Sequence, residues 1–332
     1  ADMDGTRVRV AGWIEDVRNL GGIAFVVLRD GTGKVQITLI KKLIGKDRFK
    51  RITRLNRESV ILVDGTVKRN PQANMGYEIL PEDVFILSEA EAPLPLGVVD
   101  DVKAEMDTRL DNRFLDLRKP EIAAIFKIRS TVSWAIREFF HMNDFVEVQT
   151  PKIVASATEG GTALYEITYF GTKAYLNQSP QLYKQMLMAS GLDRVFEIGP
   201  AFRAEEHDTV RHLNEFTSVD IEMAFADEND VMDILESMIR HVISKLIDKR
   251  ARELQILGIE LTVPEDRFPR IKYDEFLSMA KDAGFDIPWG EDIGLEALKA
   301  TIERNEILQG YYFITHWPTV SKPFYIKPRE DR

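Results

Sequence analysis

The stretch from Phe202 to Glu222, FRAEEHDTVRHLNEFTSVDIE, gathers cations suited to phosphate, several carboxylates and an aromatic ring. It reads as two short extended segments joined by a charged loop. On the first, Phe202 to Glu205, alternation puts Arg203 and Glu205 on one face, opposite Phe202 and Ala204. On the returning segment Phe216, Ser218, Asp220 and Glu222 share a face. An arginine offers a planar fork of donors for phosphate or carboxylate oxygens, a ring offers a stacking surface for a base, and carboxylates can hold an ammonium group. Together they fit a nucleotide bound beside an amino acid. A hairpin with a salt-bridged solvent face is the plainer reading of an Arg-x-Glu pair.

Positioning such a set takes a folded core, and the composition allows one. The 332 residues are 44% hydrophobic, enough for two domains. No apolar run reaches a membrane span and no signal-peptide succession opens the chain, so the expected compartment is the cytoplasm, with no membrane partner. There are no cysteines, and the five histidines show no HxxxH spacing, which argues against a zinc site. The net charge of -10 is unevenly spread: residues 1–88 carry +4 and the remainder -14. A basic module on an acidic body is an asymmetry that can orient a polyanion.

Within residues 1–88, alternating segments at Val8 to Ile14, Ala24 to Leu28, Lys34 to Leu39, Val60 to Val67 and Tyr77 to Leu87 are separated by turn signals such as Asp30-Gly31 and Asn70-Pro71. Five strands, with a helical stretch from Asp47 to Asn56 between the third and fourth, predict an all-β OB-fold barrel. Such barrels bind single-stranded nucleic acid on strands two and three through exposed aromatics and polar side chains. Phe25 on the second strand, Gln36 on the third and Arg18 leading into the first turn are the candidates. Residues 89–112, with APLPLG at 92–97, read as a hinge. A catalytic domain is expected over 113–332. A helix follows from Pro120 to Met142, set by proline in its first turn and by Ile122, Ile125, Ile128, Val132, Ile136 and Phe139 at helical spacing. Phe145 to Thr150 then reads as a strand ended by Pro151.

Two more stretches carry chemistry-bearing residues: ATEGGT at 157–162, a flexible acidic loop, and NQSPQLYKQ at 177–185, a turn entering a helix. A buried lysine stays charged only if an anion meets it. Lys184 is therefore either a surface lysine on an amphipathic helix or the partner of an anionic ligand.

The order FRxE, a loop, then HxxEFxxxDxE resembles motif 2 of the class II aminoacyl-tRNA synthetases, and the long helix, strand and Pro151 resemble motif 1. GWIEDVRNLGGIAFVVLRDGTGKVQ resembles the anticodon-binding barrel of the aspartyl, asparaginyl and lysyl members. QSPQLYKQ resembles the segment by which aspartyl-tRNA synthetases recognise their amino acid. RFLDLRKPEIAAIFKIRS and TEGGTALY point to the archaeal-type branch of that family, and the resemblance runs over nearly the whole chain from Arg7.

The resemblance implies an α+β catalytic domain, an antiparallel sheet flanked by helices, that activates aspartate with ATP and passes it to tRNA(Asp), with tRNA(Asn) left open as a second partner. Arg203 would act on the α-phosphate as the catalytic cation, with Glu205, Arg211, His212 and Phe216 around the ATP. Lys184 would hold the side-chain carboxylate of L-aspartate, Ser179, Gln181 and Asp220 the ammonium end, and Glu159 would close over it. A neutral asparagine would then leave Lys184 unpaired. Arg18, Phe25 and Gln36 would meet the anticodon, and residues near Glu15 and in the 70–77 loop its third base. A homodimer through the region around Pro151 and Mg2+ as cofactor are implied as well. The departure lies at the other end. The family's third motif, with the arginine for the γ-phosphate, and the acidic metal strand before it have no match, so the chain reads as C-terminally incomplete, with its metal ligands in the missing segment. Two rivals stand beside this reading: an asparaginyl-tRNA synthetase and a non-catalytic nucleic-acid-binding paralogue.

Overall fold

The computed structural model describes residues 3–73, 76–99, 103–156, 164–205, 213–322 and 326–328. The chain divides into two compact units, residues 1–123 and 124–332.

In the first unit β1 (Arg7–Asn19), β2 (Ile23–Arg29), β3 (Lys34–Ile40), β4 (Val60–Arg69) and β5 (Tyr77–Ser88) close into a barrel of order β1-β2-β3-β5-β4. Pairing is antiparallel except between β3 and β5, and β1 pairs with both β2 and β4, so the ring has no open edge. Alternation sends Ala24, Val26 and Leu28 of β2, Ile37 and Leu39 of β3, and Ile61, Val63 and Val67 of β4 into the core. Burying each larger side chain contributes roughly 1.5–3 kcal/mol. Gly65 lets β4 cross β5 closely, since a Cβ there would lie 2.5 Å from the Leu80 carbonyl oxygen. Between β3 and β4 sit two short helices, α1 (Lys41–Ile44) and α2 (Lys46–Ile52).

Two sequence expectations shift here. β1 runs beyond Ile14 to Asn19, because a register shift between Ile14 and Asp16 breaks the in–out alternation on which the sequence reading depends. α2 stops at Ile52 rather than Asn56, where the Thr53 hydroxyl bonds back to the Phe49 carbonyl at 2.8 Å.

Residues after the barrel stay within the first unit. α3 (Met106–Asp111) and α4 (Arg113–Asp116) follow, and Leu96, Val98 and Leu115 form a small buried cluster. Asp116 is fully buried, accepting from Arg109 at 3.0 Å and from Arg113. A buried charge network lies beside the barrel. Glu58, at φ 67°, takes both Arg29 Nη2 at 2.8 Å and Arg118 Nη1 at 2.8 Å. Arg118 also lies over the Trp13 ring, 4.7 Å from its centroid.

The second unit is built on α5 (Pro120–Met142), which has the bounds its apolar spacing predicts. Its Phe139 and Phe140 pack with Phe145 and Phe196 in one core. Phe196 belongs to β10 (Arg194–Phe202), which pairs antiparallel with β11 (Glu215–Met223) along its length and parallel with the short β6 (Val146–Glu147). A second antiparallel sheet joins β7 (Ile153–Val154), β9 (Thr172–Leu176) and β8 (Glu166–Tyr169). α6 (Gln181–Met188) leads from β9 into β10. α7 (Glu228–Leu257) opens on a capping box at Asp227 and ends on Gly258, whose φ of 65° suits glycine. Beyond it β12 (Arg270–Lys272), α8 (Tyr273–Asp282), α9 (Leu295–Arg304) and β13 (Phe313–Thr315) enclose a separate core around Tyr273 and Phe276. This is the expected fold class: an OB barrel followed by an α+β body of largely antiparallel sheets with helices.

Candidate active site

The turn that begins α6 is fixed by its own polar groups. Asn177 donates its backbone N–H to the Lys152 carbonyl at 2.9 Å and accepts from Phe202 N at 3.0 Å, which ties the turn to the end of β10. The Ser179 hydroxyl accepts from Gln181 N at 3.1 Å, satisfying one of the free donors of the helix start. Gln181 and Lys184, three residues apart, then project from one side of α6 toward β11.

There Lys184 is buried, with a side chain 5% exposed. Its ammonium donates to Asp220 Oδ1 at 3.1 Å and to the Ile221 carbonyl at 3.1 Å, and Glu222 Oε2 stands 3.8 Å away. Gln181 Nε2 donates to the same Glu222 oxygen at 3.4 Å, and the Ser218 hydroxyl donates to Asp220 Oδ2. Burial pushes the Glu222 carboxyl above the usual carboxylate range, against the opposing pull of Lys184 and the Gln181 amide. A carboxylate partner for this buried lysine is thus supplied by the chain itself. An asparagine in the pocket would not leave Lys184 unpaired, and discrimination has to rest on something other than a missing partner.

Opposite Asp220 on β10 stands Glu197, 3% exposed. It accepts from Thr150 N at 2.9 Å and Thr150 Oγ1 at 2.8 Å, and Lys152 Nζ lies 2.9 Å away. Sequence reasoning gave no role in the site to Glu197, Lys152 or Thr150. The one signal for them was charged and polar residues flanking Pro151 and a glutamate inside an apolar strand, VFEIG.

The strand ends at Phe202, so Arg203 and Glu205 do not alternate along it: Glu205 N turns back to the Arg203 carbonyl at 2.8 Å. Arg203 N still bonds the Asn214 carbonyl at 2.9 Å, and its guanidinium lies 5.3 Å from the Phe216 ring centroid. Phe216, Ser218, Asp220 and Glu222 share a face of β11, as alternation requires. Arg203 and Phe216 therefore meet at one end of the hairpin, while Lys184, Gln181, Asp220 and Glu222 cluster further along it. Glu159, Arg211 and His212 lie outside the described residues. Among the described residues no three His, Asp or Glu side chains gather as a metal set.

On the barrel, Phe25 points away from buried Ala24 and Val26 and stands between Arg18 on β1 and Thr38 on β3. Gln36 shares the outer face, its amide donating to Glu78 Oε2 at 3.1 Å and to Thr38 Oγ1 at 3.3 Å. The structure thus brings Arg18, Phe25 and Gln36 onto one surface. Glu15 is not on it in usable form: it is 8% exposed and holds Lys34 Nζ at 2.6 Å.

A closed OB barrel followed by this hairpin and helix defines a recognisable class. The profile for tRNA synthetases class II (D, K and N) matches residues 105–332, and that for the OB-fold nucleic acid binding domain matches residues 8–87. The chain belongs to the class II tRNA synthetases of the D, K and N group. It is 54% identical over 331 residues to the aspartate–tRNA(Asp/Asn) ligase of Archaeoglobus fulgidus, covering 100% of this chain and 76% of that protein. It is 52% identical to the aspartate–tRNA(Asp) ligase of Pyrococcus abyssi, with the same coverage. The crystal structure of asparaginyl-tRNA synthetase from Pyrococcus horikoshii complexed with asparaginyl-adenylate superposes with a TM-score of 0.91 at 32% identity, covering 99% of this chain and 75% of that one.

Proposed function

We propose that this chain is an aspartate–tRNA ligase that forms aspartyl-adenylate from aspartate and ATP and transfers the aspartyl group to tRNA(Asp). An oxygen of the aspartate α-carboxylate attacks the α-phosphorus of ATP in line, and pyrophosphate leaves. The terminal ribose hydroxyl of the tRNA then attacks the acyl carbon and AMP departs. Arg203 would stabilise the charge that grows on the α-phosphate oxygens, and Phe216 would stack on adenine. Glu205, Arg211 and His212 complete the nucleotide side of this reading. Lys184 would take the substrate's side-chain carboxylate, Ser179, Gln181 and Asp220 its ammonium end, and Glu159 would cover it. Arg18, Phe25 and Gln36 would receive the anticodon, and tRNA(Asn) is the second substrate class that the Asp/Asn relatives raise. The family supplies ATP as substrate and Mg2+ as the metal that would shield phosphate charge.

The observation that carries the reading is the buried ammonium of Lys184, reaching from α6 to β11 of the same hairpin that brings Arg203 to Phe216. A homodimer through the segment around Pro151 belongs to the same proposal, supported by the exposed apolar side chains of Ile125, Phe126, Met142 and Val146. So do a cytoplasmic location and the division into barrel (1–88), hinge (89–112) and catalytic domain (113–332). No helix among the described residues is long and apolar enough to cross a membrane. The asparaginyl alternative rests on the structural neighbour at 32% identity, against relatives at 54% and 52% named for aspartate. Aspartate-dependent pyrophosphate exchange by the full-length protein tests the proposal. Lys184→Leu should lower kcat/KM for aspartate by roughly two orders of magnitude, since losing a charge-assisted partner in a desolvated pocket costs about 3 kcal/mol. Unchanged kinetics would remove Lys184 from the site.

A further inference from the structure

The positive charge of the barrel is concentrated in one place. Residues 41–57, KKLIGKDRFKRITRLNR, which hold α1 and α2 between β3 and β4, carry eight Lys/Arg against a single acid, a balance of +7. The rest of residues 1–88 carries seven against ten, a balance of -3, so the +4 of the module is made here alone. The strands that bear Arg18, Phe25 and Gln36 belong to the part with the negative balance. They can stack bases and read their edges, but the pull on a polyanion comes from the α1–α2 connection.

Within the connection the cations are sorted by the helix. α2 turns Phe49 and Ile52 into the barrel core. Lys46 and Lys50, one turn apart, and Arg54, just past the helix end, are exposed. Arg48, Arg51 and Arg57 have carboxylates of their own, Asp83 at 2.8 Å, Glu89 at 3.3 Å and Asp16 at 3.0 Å. Lys46, Lys50 and Arg54 meet no carboxylate among the described residues, and like charges a turn apart oppose a helix rather than hold it. Beside them opens a cleft of about 360 Å³, walled by Asp47, Lys50, Arg51, Arg54, Leu55 and Glu89. The start of the connection adjoins the face that carries Phe25. Lys41 N donates to the Gly22 carbonyl at 3.0 Å, which ties α1 to the turn between β1 and β2. Phe25 pairs with Thr38, three residues before Lys41 and so about 10 Å from it along β3.

Resting on the reading of the barrel as the anticodon module, we propose that the α1–α2 connection is a second RNA site on this unit, one that ignores sequence: Lys46, Lys50 and Arg54 hold the sugar–phosphate backbone next to the nucleotides that Phe25 and Gln36 receive. The two surfaces divide the work. Phosphate contacts give affinity that falls with salt and is the same for every sequence, while the strand face supplies stacking and the choice of base. An acidic protein or an anionic lipid surface would also suit the charge. RNA is favoured because the cations continue from the strand face itself, starting at Lys41 beside Gly22.

Each phosphate neutralised adds roughly 0.7 to 0.9 to the slope of log affinity against log salt. Binding of tRNA(Asp) to the full-length protein, followed from about 50 to 200 mM salt, therefore counts the contacts. Lys46→Gln/Lys50→Gln/Arg54→Gln should flatten the slope by about 2 and weaken binding by roughly ten- to a hundredfold at the low-salt end. The loss should be equal for tRNA(Asp) and for the same tRNA with an altered anticodon, with aspartate-dependent pyrophosphate exchange unchanged. Phe25→Ala should weaken binding and keep the slope. Arg7→Gln/Arg9→Gln, which removes two charges elsewhere on the barrel, should keep it too. In the parent protein, bound tRNA should protect Lys46 and Lys50 from an acylating reagent several-fold, a measurement that needs no variant. An unchanged slope in the triple variant, an equal flattening in the Arg7/Arg9 variant, or lysines acylated alike with and without tRNA would each overturn the inference and leave the ligase reading standing. Failure of the parent protein to charge tRNA(Asp) would instead overturn the ligase reading, and this inference with it.

Discussion

Phe25 and Gln36 stand on the outer face of the barrel rather than in its core, and that placement decides what their replacement should do. Stacking on a ring contributes about 1 to 3 kcal/mol per base, so Phe25→Ala should weaken tRNA binding by one to two orders of magnitude in a filter-binding or fluorescence titration. Adenylate formation should stay nearly constant. Pyrophosphate exchange impaired as strongly as charging would make Phe25 a folding residue. Gln36 needs a finer reading, because its amide nitrogen already donates to Glu78 at 3.1 Å. Its carbonyl oxygen can still accept a base N–H, and Gln36→Ala should lose discrimination at the central anticodon base in charging of anticodon variants. Equal charging of all variants by the parent protein would contradict that role. The types of these residues and their places on successive strands were legible in the sequence. The Glu78 partner was not, because it comes from β5 through a parallel pairing that no local pattern announces.

At the scale of elements, pattern carried the reading where the pattern is regular. The five barrel strands and α5 follow from strict alternation and from apolar residues at helical spacing after Pro120. It failed where geometry breaks the period: at the register shift in β1, and at the end of β10, where the backbone turns after Phe202. The convergence of α6 with β11 was also beyond it. Lys184 reads as one lysine on a helix until packing shows Asp220 and Glu222 beside it. The same limit hid the charge network around Glu58, whose left-handed backbone and side chain 2% exposed appear only in the fold. Removing that carboxylate leaves Arg29 buried beside Glu15 at 3.6 Å as its remaining partner. Glu58→Ala should therefore destabilise the first unit by about 3 kcal/mol in urea unfolding. Disrupting the exposed Arg9–Asp64 pair should have a far smaller effect. Equal effects from the two would show that burial is not what gives the Glu58 network its weight.

For the whole molecule, charge is divided as sharply as fold. Residues 1–88 carry +4 and the rest -14, so attraction for a polyanion belongs to the barrel, and tRNA affinity should fall steeply as salt rises. Aspartate activation should respond far less, because the residues proposed for it belong to the second unit rather than to the barrel. The most direct measurement of the central claim is pyrophosphate exchange by the full-length protein near neutral pH, with aspartate and asparagine compared side by side. Exchange should depend on aspartate, with kcat/KM for asparagine lower by about three orders of magnitude or more, as befits a site whose polar groups are matched to one ligand. Asparagine supporting exchange as well as aspartate does would contradict the account.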